Sequence, residues 1–480
     1  MPGILLIKTT NGNLWKNGDV IKLTVEGAKG MIPKLKPIDS QIETTQHQLY
    51  IPVVAKFWIS HCFALIWLCI SIYIAFPWLM DLSYQLSFPL ALLIIGGLAY
   101  IPGYMNAFLI ISLLLDRQPP SKNEDPHEEI TILIAAHNEE DKIFQTLQYI
   151  DRQDYSGKIN VIVINNCSTD ETVNEVRKAK KKLSIDIKLI HENKPGKFHA
   201  LNHALKAVST AFFITLDADT LLHPSSIRYL VSRIQSSPEE VCAVAGSVLA
   251  KNSRENLLTK MQEWDYFLGI ASIKRLQGLY QGTLVAQGAY SLYKTECIKE
   301  VGGWPDAIGE DIVLTWRLLQ RNWKVYFEPC AVAFTEVPSS LKHLVRQRAR
   351  WARGMIEGLH EVKPWKQPQI YVKYMTGINL IMPFLDLTFT LFWIPGLLLA
   401  FFGNYLIVGP ATLFVLPLTL MSYSILYFHQ RNFVFRRLQL RIRKNIVGFI
   451  FYFLGYQMIM SPVSVYGYVQ EIFKFQRRWK

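Results

Sequence analysis

Apolar residues in this chain fall into long unbroken blocks near both ends and short interrupted runs between them. Residues 57–80 and 88–115 each exceed the roughly 20 apolar residues that carry a helix across a bilayer. They flank the short loop 81–87, which predicts a transmembrane hairpin. Residues 376–402, 405–428 and 446–468 are three further blocks, the last preceded by a loop carrying Arg431, Arg436, Arg437, Arg441, Arg443 and Lys444. Such a loop belongs on the cytoplasmic side. Three crossings would then put the basic tail 474–480 outside, against the same rule. One block is therefore expected to be re-entrant or broken, at Pro383, Pro395 or Pro462, and the spans number four to six. The block that opens at residue 57 lies too far along the chain, and is too long, for a secretory signal. Alternating residues around Asn11-Gly12 and Asn17-Gly18 predict small hairpins in the tail 1–55, which has no assigned role.

Between the blocks the period changes. After a linker at 116–129 rich in proline and charge, the runs 130–136, 161–164, 185–190, 212–216 and 241–248 read as strands separated by helical stretches. That alternation predicts an α/β fold, a doubly wound parallel sheet with ligands at the carboxyl ends of its strands. The expected organisation is a cytosolic tail (1–55), a transmembrane hairpin (56–116), a cytosolic sheet domain ending in an interfacial amphipathic helix (117–366) and a C-terminal membrane region (367–480).

Half of the 480 residues are hydrophobic and 19% are charged, which excludes a disordered chain. Lys and Arg outnumber Asp and Glu by 51 to 38, a net +13. With the apolar residues in blocks, that excess reads as the bias of membrane flanks and not as a nucleic-acid footprint. Six scattered cysteines with no C-x-x-C argue for reduced thiols, against a zinc site or disulfide framework.

Three motifs carry candidate chemistry. Asp217-Ala218-Asp219 closes the run 212–216 and sets two carboxylates at a strand mouth. A hard divalent cation takes such oxygens and completes its shell with waters and substrate phosphates; a lone D-x-D is otherwise a loop of exposed acids. Gly309-Glu310-Asp311 follows the turn Gly302-Gly303-Trp304-Pro305 and opens a helical run, where acids also serve as caps. Gln347-Arg348-Ala349-Arg350-Trp351 lies in a helix opening after Pro338-Ser339-Ser340. Leu341, Leu344, Val345, Ala352, Met355, Ile356 and Leu359 stripe one side of it, and Gln347, Arg350, Trp351 and Gly354 lie on the other. Arg346, Arg348 and Arg353 are expected to rest on anionic headgroups. An indole off the apolar stripe, beside an arginine, suits a sugar ring and a pyrophosphate.

Together with Ala135-Ala136-His137-Asn138-Glu139-Glu140 and Lys194-Pro195-Gly196-Lys197, these motifs resemble the family 2 glycosyltransferases, specifically the membrane-embedded processive synthases. The bacterial poly-N-acetylglucosamine synthases are the most similar group, with hyaluronan, chitin-oligosaccharide and cellulose synthases as relatives. The resemblance runs in motif order over residues 130–358 and includes the flanking blocks. It implies a GT-A-like nucleotide-sugar domain. Asn138, Glu139, Asn165 and Asp170 would surround the uridine, and Lys197 would lie near the base or diphosphate. Asp217 would contact the nucleotide, Asp219 would hold Mg²⁺ or Mn²⁺, and Asp311 would be the catalytic base. Gln347 and Arg350 would hold the diphosphate, and Gln287, Gly288, Glu310 and Trp351 the acceptor sugar. The implied partners are a UDP-sugar, a glycan or glycolipid acceptor and accessory export subunits, with no nucleic acid. The implied setting is the cell membrane with the catalytic domain in the cytoplasm. The implied reaction is inverting transfer of a sugar, N-acetylglucosamine or glucose, to a growing β-linked polysaccharide exported through the spans. Addition of one sugar to a lipid is the alternative, because ceramide glucosyltransferases resemble the same motif set. A sugar-nucleotide receptor without catalysis would carry damaged motifs, and these are intact.

One position departs from the family. An acid is usual after the second strand, and this chain has Asn165, whose amide hydrogen-bonds a uracil edge but carries no charge. His199 and His203 stand four apart but lack the Glu of a zinc-protease motif, Cys167 has no His signature, and no G-x-x-x-x-G-K-[ST] loop occurs.

Overall fold

A computed structural model describes residues 51–116, 125–409 and 415–475, with two short strands, β1 (Ile7–Lys8) and β2 (Leu14–Trp15). These strands pair antiparallel, Ile7 with Trp15, and the expected turn at Asn11-Gly12 lies outside the described residues. The second expected hairpin, at Asn17-Gly18, lies outside the described residues. α1 (Val53–Gln85) and α2 (Phe88–Leu114) are the arms of the apolar hairpin. The connection is shorter than the expected 81–87, because α1 runs through Asp81 to Gln85 and leaves only Leu86 and Ser87 to turn. Pro89 sits in the first turn of α2, where a missing N–H costs no helical bond.

The described sheet has eight strands: β3 (Ile130–Ala136), β4 (Ile159–Asn166), β5 (Asp186–Glu192), β6 (Phe212–Leu216), β7 (Leu221–Leu222), β8 (Val241–Ala250), β9 (Tyr290–Lys294) and β10 (Lys324–Thr335). Their order is β5-β4-β3-β6-β9-β8-β10-β7. All five expected runs are strands. The sheet is nevertheless mixed and not wholly parallel, because β9 runs antiparallel between β6 and β8, and β7 antiparallel to β10. Near-continuous apolar runs are what a sheet covered on both faces requires. Alternate residues feed two cores: Leu133, Ile162, Ile164 and Phe213 enter one, and Ile132, Ile134, Val161, Val163 and Ile214 enter the other.

The covering helices are α3 (Ile143–Asp151), α4 (Thr172–Lys182), α5 (Lys197–Leu205) and α6 (Ser226–Gln235). α7 (Leu257–Trp264) passes through a π-helical turn, Asp265–Ile270, into α8 (Ala271–Leu279). α9 (Thr295–Glu300) and α10 (Glu310–Gln320) precede β10. α11 (Leu341–Glu361) carries the Gln347-to-Trp351 motif and is capped by the Ser340 hydroxyl. Of the three arginines expected on headgroups, only Arg346 is exposed. Arg348 pairs with Asp265 at 2.7 Å and Arg353 with Glu471 at 3.0 Å. Acids distant in sequence draw both side chains inward.

α12 (Ile370–Phe401), α13 (Val415–His429) and α14 (Ile446–Ile472) follow. Among the described residues α1, α2, α12 and α14 are long and apolar enough to cross a membrane. The expected block 405–428 is not helical over 405–409, its stretch 410–414 lies outside the described residues, and the rest belongs to α13. α14 meets the sheet domain at both ends. Asn445, just before it, donates to the Lys260 carbonyl at 2.9 Å, and Glu471, in its last turn, pairs with Arg353.

Candidate active site

The loops after β3 and β4 close on each other. Asn138 adopts a left-handed conformation (φ 56°), which Asn tolerates better than most residues. Its N–H donates to the Ser168 hydroxyl at 3.1 Å, and its Oδ1 accepts the Thr169 N–H at 2.8 Å. The Glu139 N–H donates to Thr172 Oγ1 at 2.8 Å, and the Glu140 N–H to Asp170 Oδ2 at 3.2 Å. Asp170 also accepts from Thr172. Burial works against its charge, but these hydrogen bonds outweigh it and hold the carboxyl below the usual range. Asn165 is buried in the pairing of β4 with β5, its amide nitrogen 3.2 Å from His191 Nδ1 and its Oδ1 accepting the Ser168 N–H.

Asn166, which the motif reading did not single out, fixes the turn before α5. Its Oδ1 accepts the Gly196 N–H at 2.8 Å, and its amide donates to the Lys194 and Glu192 carbonyls. Gly196 has φ 134°, a conformation side chains disfavour. The turn delivers Lys197, first residue of α5, to Asp217, with Nζ to Oδ1 at 2.6 Å.

The antiparallel pairing of Leu216 with Tyr290 brings Gln287 and Gly288 beside Asp217, whose N–H donates to the Ala289 carbonyl at 3.3 Å. The Gln287 amide is engaged elsewhere, donating to the Gly246 carbonyl of β8 at 2.8 Å. The Gly288 N–H donates to Asp311 Oδ2 at 3.3 Å, and Asp311 Oδ1 accepts the Ile312 N–H. A Cβ on Gly288 would come within 2.8 Å of Lys197 Nζ, so glycine lets these groups converge. α11 presses on the start of α10: a Cβ on Gly309 would lie 2.7 Å from the Gly354 Cα. Buried Glu357 locks the contact, its Oε2 accepting the Ile308 N–H at 2.6 Å and the Gly309 N–H at 3.2 Å.

Burial pushes Glu310 well above the ordinary carboxyl range, the adjacent Asp311 adds to it, and the cations Lys197 and Arg350 oppose it. Burial also works against the Lys197 ammonium, but Asp217, Glu310 and Asp311 outweigh it and hold its pKa above the usual value. Burial lowers Lys274, in α8, to about 8, against the nearby Asp311 charge; its ammonium donates to the Val285 carbonyl at 2.9 Å. Trp351 is 38% exposed and Arg350 is exposed, while the Gln347 Oε1 is buried without a hydrogen-bond partner.

Asp219 is pushed up to about 6 by burial first and by Asp217 next, with Lys142 opposing. Lys142 lies 4.0 Å from Asp219 and also meets Glu336 at 3.0 Å and Glu139 at 3.9 Å. Crowded carboxylates of this kind suit a hard divalent cation. Among the described residues no set of three or more His, Cys, Asp or Glu side chains forms a ligand cluster. A pair of carboxylates completed by waters and phosphates is the usual Mg²⁺ arrangement, so Asp217 and Asp219 fit.

The structure therefore gathers Lys197, Asp217, Gly288, Glu310 and Asp311 at the carboxyl end of β6, in the middle of the sheet. Asp219 is joined through Lys142 to Glu139 and the loops bearing Asn138 and Asp170. Asn166, Glu357 and Lys274 were missed because each acts through a contact remote in sequence.

The mixed sheet with its flanking helices has a GT-A-like fold. Residues 126–354 match the family described as "Glycosyltransferase like family 2". Over 236 residues the chain is 34% identical to the poly-beta-1,6-N-acetyl-D-glucosamine synthase of Staphylococcus aureus (strain MSSA476), covering 49% of this chain and 56% of that protein. It is 32% identical over 258 residues to the synthase of the same name from Staphylococcus epidermidis, covering 53% and 61%. The chain thus spans a little over half the length of these curated relatives. In fold it is similar to a mannosyltransferase from Pyrobaculum calidifontis solved with GDP-mannose and Mn²⁺, at a TM-score of 0.50 and 16% identity, covering 76% of this chain and 93% of that one.

Proposed function

We propose that the chain is a processive, inverting glycosyltransferase that moves N-acetylglucosamine from its UDP donor to a growing β-linked glycan. The observation that carries this reading is the Asp311 carboxylate, fixed by the Gly288 N–H at the start of α10 and set beside the Lys197–Asp217 pair. The choice of sugar follows the names of the staphylococcal relatives.

The acceptor hydroxyl gives its proton to Asp311 as its oxygen bonds to the anomeric carbon, and the bond from that carbon to the diphosphate breaks. Attack opposite the leaving group turns an α-linked donor into a β-linked product. Asn138, Glu139, Asn165 and Asp170 line the nucleoside end, the last two by shaping its loops. Lys197 and Arg350 bring positive charge to the diphosphate side, and Trp351 offers a face to the acceptor sugar. Asp219, with Asp217 beside it, would hold a divalent cation, which when bound would offset the negative charge of the leaving diphosphate. The sheet domain faces the cytosol, where it meets the donor, and the product leaves through the spans.

The test is to incubate the purified full-length protein with single UDP-sugars and Mg²⁺ or Mn²⁺ and size the product. Polymer from UDP-N-acetylglucosamine is expected. A one-sugar glycolipid would replace the processive reading, and polymer from UDP-glucose alone would replace the donor.

A further inference from the structure

Arg348 occupies an unassigned position inside the Gln347-to-Trp351 motif. Its guanidinium lies over the Trp351 ring, 4.1 Å from the centroid. The same group donates to Asp265 Oδ2 at 2.7 Å and to the Tyr456 hydroxyl at 3.2 Å, and that hydroxyl donates to Asp265 Oδ2 at 3.0 Å. Asp265 opens the π-helical turn between α7 and α8, and Tyr456 closes the π-helical turn Tyr452–Tyr456 within α14. Three elements therefore hold one guanidinium. The Arg348 and Asp265 side chains are only 10% and 15% exposed, whereas Trp351 keeps 38% of its surface in solvent.

Removing either member of a buried ion pair leaves the other charge uncompensated, so this pair resists rearrangement. Guanidinium is also planar and stacks on aromatic faces, which an ammonium does not. An exposed indole without such a support samples several rotamers and loses that freedom when it binds a sugar. A fixed guanidinium beneath the ring removes the loss beforehand. We infer that Arg348, anchored by Asp265 and Tyr456, is the positioning residue that presents the Trp351 ring to the acceptor sugar. The inference rests on the transferase reading above and adds to it a tie between the acceptor platform and α14.

The experiment is a double-mutant cycle on the full-length protein, reading acceptor KM, donor KM, product length and release of UDP without acceptor. Arg348→Met is expected to raise the acceptor KM roughly tenfold, the order of one lost cation–π contact, and to shorten the product. The donor KM and the UDP release should stay within about twofold of wild type, since these groups do not meet the donor. The pair Arg348→Met with Trp351→Ala should then be no worse than Trp351→Ala alone. Additive losses, or donor and acceptor constants moving together, overturn the inference. If Arg348→Met does not fold, Arg348→Lys decides: it keeps the charge facing Asp265 but not the flat stack, so an unchanged acceptor KM also overturns it. A wild type that transfers no sugar would refute the transferase reading itself, whereas an active wild type with an additive cycle refutes only the role of Arg348.

Discussion

Two adjacent acids open α10, and their surroundings give them different tasks. Asp311 is held by the Gly288 and Ile312 N–H groups. Asp311→Asn keeps an acceptor oxygen for them while removing the base, so donor binding should persist as transfer falls by about 10² to 10⁴. Calorimetry with UDP and the initial transfer rate check the two halves, and near wild-type transfer would remove Asp311 from its role. Glu310 is buried, with a pKa above its ordinary 4.5. The folded protein thus keeps a proton that the unfolded chain releases, and stability drains away as pH climbs from 4.5 through the raised value. Glu310→Gln should therefore lose less of its thermal midpoint than wild type between about pH 5 and about pH 8. Equal losses would mean that Glu310 is ionised throughout. Both acids were legible in the sequence because the chemistry demands carboxylates. The groups that aim them were not: Glu357 lies 46 positions beyond Asp311 and reads as one more helical acid until α11 folds back.

At the scale of elements, the close approach of α10 and α11 sets the distance between Asp311 and Trp351, the proposed base and the proposed acceptor platform. In Gly354→Ala the new methyl would meet the Gly309 Cα at 2.8 Å and its nitrogen at 3.1 Å. Backbone cannot yield as a side-chain tip does, so a loss of about 1–3 kcal/mol is expected. Transfer should fall more than donor binding, because the shift displaces the start of α10. Gly377→Ala, in α12 with nothing within 4 Å of the added carbon, should leave stability and transfer intact. Thermal unfolding and initial rates of the two variants make the comparison, and equal behaviour would show the crossing to be loose. Strand patterns were readable where the sequence holds an apolar run, and burial alone did not make them so. β9 reads Tyr-Ser-Leu-Tyr-Lys with no apolar run, and β10 holds Pro329 and a register shift between Phe327 and Val332. β9 and the two-residue β7 are the antiparallel strands, so the sequence pattern misses what makes the sheet mixed.

At the scale of the molecule, charge and contact argue for the same topology. Counted as crossings, α1, α2, α12 and the segment containing α13 return the chain to the side of the sheet domain, and a fifth crossing would carry the basic tail away from it. α14 has the length and hydropathy of a span, yet Asn445 before it and Glu471 at its end both bond to the sheet domain. Hydropathy alone could not reveal this, because a helix lying along a membrane-facing domain and a helix crossing the bilayer need the same apolar surface. The expectation is that α14 lies along the sheet domain, with its C-terminal end and α4 on the cytosolic side. In a variant without the six native cysteines, a membrane-impermeant maleimide should reach Ser87→Cys from outside intact cells. Lys180→Cys and Lys474→Cys should be labelled only after permeabilisation. All three positions are exposed, so access reports the side of the membrane. Labelling of Lys474→Cys from outside would make α14 a crossing. Its bonds to Lys260 and Arg353 could not then coexist in one molecule, because both partners belong to a domain that lies on a single side.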